Sequence, residues 1–231
     1  MNRKNPKPKT ALKRRLFIAF NLFIFIMTAI MVTVTLVFGS VASQKDHLPF
    51  AYWQHIITFT ILSNIFLGLV ALISTIIGTK CFYANKKLPS SLVPWYLVAT
   101  ASAMLTCLTV VFYLTPARAM SGKGIFDMLI GPMFFLHFLD PILSAVAFIF
   151  LMDSDYKLTV RDRILATLPP VAYGVVYFIF VAIVKTVPDF YGLTFGGKVY
   201  LAALVGLIFA VIIFGISSFI SYCHNREIAV K

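Results

Sequence analysis

His137, Asp140, Pro141 and Ser144 fall at i, i+3, i+4 and i+7 inside a long apolar run, so on a helix they share one face. An imidazole and a carboxyl group one turn apart suit a proton relay, a cation site or acid–base chemistry. Pro141 has no N–H, so the carbonyl of His137 loses its usual i+4 donor and a bend is expected there. The plainer reading is a histidine bonded to a neighbouring helix for stability. A second set, Thr60, Ser63, Asn64 and Gly68, recurs at i, i+3, i+4 and i+8. Small and hydrogen-bonding residues in that pattern suit close helix packing. Ser102, Thr106, Thr109 and Tyr113 form a third stripe, and Tyr173 and Tyr177 share a face just after Pro169 and Pro170. That proline pair is expected to kink its helix, with the two phenols offering donors to the interior. Gly206 and Gly215 are expected to mark close helix contacts.

The elements that must position these residues are long. Six apolar stretches, 16–38, 52–78, 94–115, 125–152, 164–185 and 199–223, occupy most of the 231 residues. A helix needs about 20 residues to cross a hydrocarbon core about 30 Å thick, and each stretch has them. The runs are continuous rather than alternating, which excludes barrel strands. Hydrophobic residues make up 60% of the chain and charged residues 12%, with mean hydropathy +0.93. The expected fold is all-α, a polytopic bundle of six transmembrane helices. It divides into a basic cytoplasmic tail (1–15), the transmembrane domain (16–223) and a short cytoplasmic C-terminal tail (224–231).

Fifteen of the twenty Lys and Arg residues fall on one side of that arrangement: seven in the first fifteen positions, the rest after the second, fourth and sixth spans. This bias predicts a multi-pass protein of the cell membrane with both termini in the cytoplasm. It also explains the net charge of +12 without nucleic acid, and membrane lipids are the expected partners. The first span is too long for a cleaved signal and reads as an anchor. Trp53, Trp95 and Tyr96 at span ends read as an interfacial aromatic belt, and Asp127 reads as interfacial. Cys81 and Cys223 at the cytoplasmic edge and Cys107 inside the third span suggest neither a disulfide framework nor a metal site. Phosphate-loop, dinucleotide, zincin and nucleophile-elbow motifs are absent, so no cofactor or metal is expected. Two classes remain from the residues alone. One is a transporter or proton-coupled membrane protein using His137 and Asp140; the other is a structural or accessory membrane role.

Thr58-Phe-Thr-Ile-Leu-Ser-Asn64 and His137-Phe-Leu-Asp-Pro141 resemble motifs of the bacterial six-span branch of the androgen-induced membrane protein family. Pro170-Val-Ala-Tyr173 and Val187-Pro-Asp-Phe-Tyr191 fall where that branch carries proline–tyrosine motifs. Animal members are similar to threonine hydrolases that cleave fatty acid esters of hydroxy fatty acids with an intramembrane threonine and histidine. The resemblance therefore implies a lipid acyl-ester substrate, with Thr60 as nucleophile and His137 as base. Thr58 is a second candidate nucleophile, because the animal motif spaces threonine and asparagine three apart rather than four. Asn64 or Tyr173 would donate to the oxyanion, and Asp140 would orient the imidazole. Thr60 and His137 differ in depth by about one helical turn, so the five residues are expected to converge on one interior pocket.

Overall fold

The structure is a computed structural model that describes residues 8–45, 56–120, 130–187, 189, 191–193 and 198–230. Trp53 and Asp127 lie outside the described residues. Among those described, no strand occurs and six helices are long and apolar enough to cross a membrane. This is an all-α six-helix bundle, as an integral membrane protein requires. The helices are α1 (Pro8–Lys45), α2 (Phe59–Tyr83), α3 (Leu92–Ala117), α4 (Pro132–Leu151), α5 (Val160–Ile183) and α6 (Val199–Ala229). α1 begins inside the segment read as a tail, and α6 runs through most of the other, so helix continues beyond the apolar core at both places.

The starts of α2 and α4 differ from the hydropathy pattern for local reasons. Thr58 is extended, and its hydroxyl accepts the N–H of Ile61 at 3.5 Å as the N-cap of α2. Gly131 adopts φ +61°, open to glycine at little cost, and Pro132 follows at the first helical position, where its missing N–H costs nothing. At the start of α5, the N–H and hydroxyl of Thr159 both donate to Asp162, at 2.7 and 2.8 Å. Tyr156 donates to the same carboxylate, and desolvation together with that negative charge raises its phenol above the ordinary value.

Pro141 does distort α4. The turn before it, Phe135–Leu139, is a π turn in which the N–H of Asp140 reaches back to the carbonyl of Phe135. Further π turns occupy Val110–Leu114 in α3, Ala147–Leu151 in α4 and Ile179–Ile183 in α5. α5 stays helical through Pro169 and Pro170.

α3 is the most buried span. Its run Ala99-Thr-Ala-Ser-Ala103 is buried throughout, and small side chains there let several helices approach at once. Tyr96 is fully buried rather than interfacial. Its ring lies between Phe17 of α1 (6.0 Å) and Phe148 of α4 (5.3 Å), and His224 of α6 stacks on the far side of Phe148 at 4.8 Å. The Tyr96 hydroxyl donates to Asn21 of α1 at 2.8 Å, which is why a phenol is tolerated so deep. Trp95, one position earlier, is exposed as a belt residue would be.

Close helix approach occurs at α1 against α2, not where expected on α6. A Cβ added at Gly68 would meet Thr28 Cγ2 at 3.0 Å, and one at Gly78 would meet Ile18 at 3.2 Å. At Gly206 and Gly215 nothing lies within 4 Å: Gly206 shares the face of Ile213 and Ser217 but borders a cavity, whereas Gly215 lies on the opposite side of the helix.

One end of the bundle gathers the start of α1, the α2–α3 and α4–α5 connections and the end of α6. Arg14 bridges Asp153 at 2.8 Å and donates to Asn85 at 3.0 Å. Lys87 pairs with Asp155, and Asn225 exchanges hydrogen bonds with the backbone of Leu158 at 2.8 and 2.9 Å. Arg14 and Lys87 therefore share one end of the bundle with the close of α6.

Candidate functional site

Four helices line a cavity among the described residues. α2, α3, α5 and α6 leave a space of about 460 Å³, within the usual range for small-molecule sites. Its wall is mostly apolar, with Leu105, Val110, Phe178, Phe209 and Ile213 among the contributors. Hydroxyl groups interrupt it on one side: Thr60 of α2, Thr106 and Thr109 of α3, and Tyr173, Tyr177 and Tyr191.

The tyrosines form a connected crown at the end of the bundle opposite Arg14. Tyr173 donates to the carbonyl of Ile57 at 2.9 Å and packs on Phe59 at 5.2 Å. Tyr177 donates to Asp189 at 2.7 Å. The Tyr191 oxygen accepts the N–H of Phe59 at 2.9 Å, occupying an orphan donor at the start of α2. Tyr113 closes the ring by donating to the carbonyl of Tyr191 at 2.9 Å. Desolvation raises the Tyr191 phenol above its ordinary value.

Thr60 is half-buried on the cavity wall, and Tyr173 lines the same space. Thr58 instead serves as the helix cap. Asn64, one turn below Thr60, is fully buried and turns toward α4. Its Nδ2 donates to the carbonyl of Thr60 at 2.8 Å and to the carbonyl of Leu136 at 3.0 Å. One amide nitrogen thus holds the backbone at residue 60 beside the turn that carries His137. His137 is itself buried and is not among the cavity-lining residues. Asp140 is fully buried, and its Oδ2 accepts the Thr28 hydroxyl of α1 at 2.9 Å. Four of the five expected site residues therefore fall into two adjoining regions. Thr60 and Tyr173 line the cavity; Asp140 and the amide of Asn64 lie in the seam between α1, α2 and α4.

No family model, curated protein or solved structure matches the chain.

The sequence reading missed the contribution of α1. Among its residues of described burial, Phe17, Asn21, Ile24, Thr28, Val32 and Thr35 are buried, spaced three or four apart. That is the seam pattern of a packed helix, and it was available in the sequence beneath an otherwise uniform apolar run. Among the described residues, no group of three or more His, Cys, Asp or Glu side chains could hold a metal ion.

Proposed function

We propose that this membrane protein takes a lipid acyl ester into the cavity and cleaves it, with Thr60 as the attacking hydroxyl. The observation that carries this reading is the position of Thr60: a hydroxyl on the wall of a mostly apolar cavity between the span-length helices. An acyl chain would fill the apolar part and place its ester among the hydroxyls of Thr60, Thr106 and Thr109. His137, on the α4 turn that Asn64 ties to residue 60, is the base of this scheme. It takes the Thr60 proton as oxygen attacks the ester carbonyl, then returns it to the departing alcohol as the C–O bond breaks. Water hydrolyses the acyl-threonine in the second half, and Tyr173, whose hydroxyl donates to the carbonyl of Ile57 at rest, would turn that proton to the oxyanion. The resemblance to the androgen-induced membrane protein family supports the same residues. The cell membrane is the setting, with the Arg14 end and both termini facing the cytoplasm.

Thr60→Ala and His137→Ala should each abolish ester turnover and fluorophosphonate labelling by purified protein, while Thr60→Ser retains turnover. The double variant should be no worse than either single one, because the pair acts as a unit. Equal turnover with and without Thr60 would sink the assignment. Orientation is tested separately, in a chain whose Cys81, Cys107 and Cys223 have been replaced. A cysteine at Lys198 should react with an impermeant maleimide applied outside intact cells, and one at Lys86 should not. The reverse pattern overturns the orientation.

A further inference from the structure

The seam between α1, α2 and α4 has more buried acceptors than donors. Asp140 and Asn64 are both 0% exposed. Asp140 Oδ2 receives the Thr28 hydroxyl, but Oδ1 has no donor. Asn64 directs Nδ2 to two carbonyls, and its Oδ1 also has no donor. Ser144, one turn beyond Asp140, gives its hydroxyl to the carbonyl of Pro141 at 2.9 Å. The two regions of the seam are mechanically joined. Gly68, one turn after Asn64, is pressed against Thr28, the residue that holds Asp140.

Ionised carboxylates are not kept in such a place on one hydroxyl donor; the group neutralises instead. The packed helices supply little that is charged. Residues 16–37 of α1 and 59–79 of α2 include no titratable side chain. α3 offers Tyr96, Cys107 and Tyr113; the Tyr96 hydroxyl is committed to Asn21 and that of Tyr113 to Tyr191. On α4 itself the titratable neighbour is His137. A sodium ion would need several oxygens around it, and the Leu136 carbonyl is already taken by Asn64.

We propose that this seam is a proton-binding site, with the proton resident on Asp140 Oδ1. One proton cancels the charge and converts an orphaned acceptor into the donor that the seam lacks. The site is distinct from the cavity and does not depend on ester cleavage.

Infrared spectroscopy of the purified protein in nanodiscs at neutral pH provides the test. A protonated-carboxyl C=O stretch, shifted in D₂O, should be present in the native protein and lost in Asp140→Asn, whose neutral amide keeps the shape. Thr28→Val should raise the frequency of that band by removing a donor from Oδ2, and this readout stands even if Asp140→Asn fails to fold. Thr60→Ala should leave the band in place, which separates this proposal from the hydrolase reading. Absence of the band in native protein, as in an ion pair with His137, overturns the proposal. So does a band that survives Asp140→Asn. Thermal stabilisation by sodium chloride but not choline chloride, lost in Asp140→Asn, would make the seam a sodium site and overturn it as well.

Discussion

Asn21 and Tyr96 show how a single polar pair is accommodated in the middle of an apolar bundle. The Asn21 amide donates to the carbonyl of Phe17 at 2.8 Å and accepts the Tyr96 hydroxyl at 2.8 Å. Asn21→Leu strands that hydroxyl in a fully buried site, at a cost of about 1–3 kcal/mol. Tyr96→Phe leaves only an amide oxygen short of a donor and should cost less. The double variant should recover much of the loss, giving a coupling of about 1 kcal/mol or more in a thermal or denaturant unfolding cycle. Additive losses would show that the bond contributes nothing beyond packing. Residue-scale chemistry was only partly legible. Asp140, Asn64 and His137 stand out in sequence because polar groups inside apolar runs are costly. Tyr96 was misread because its position near the start of a span looks the same whether the ring faces lipid headgroups or two other helices.

At the scale of helices, period and length made the six spans readable, while the ends depended on signals that hydropathy does not register. α4 begins at Pro132 because Gly131 turns the chain, and α2 begins after the Thr58 cap; both sites are apolar by any average. The connections carry their own stability. Arg14 looked like one more member of the basic cluster, yet its guanidinium and Asp153 are each only about a tenth exposed, at 11% and 10%. It fastens α1 to the segment between α4 and α5. Asp153→Ala should therefore lower the unfolding free energy by about 1–3 kcal/mol, more than an exposed surface pair contributes. Removing the solvent-facing Lys87–Asp155 pair by Asp155→Ala should change the melting temperature in detergent little. Equal effects from the two would mean that Arg14 acts only in setting topology.

Across the whole molecule, the bundle is built unevenly. The polar bonds in its middle join the first four helices: Thr28 to Asp140, Asn64 to Leu136, Ser63 to Thr106 and Tyr96 to Asn21. α5 and α6 are the least buried spans and join through Ala166, Ile213, Ile220 and the His224 ring. Sequence could not reveal this, since all six runs are comparably apolar and contact partners are set by three-dimensional packing. Seen as a schedule of synthesis, the unevenness acquires a direction. The ribosome delivers the mutually bonded helices first, and the last pair emerges beside a unit already held together by those bonds. The cavity comes into being only when that final hairpin arrives. A chain ending in the α4–α5 connection should thus insert and resist proteolysis while lacking ester turnover, and co-expression with 160–231 should restore the complex on co-purification. Assembly of this protein would then be a natural point at which a cell could hold the site inactive, simply by delaying two helices.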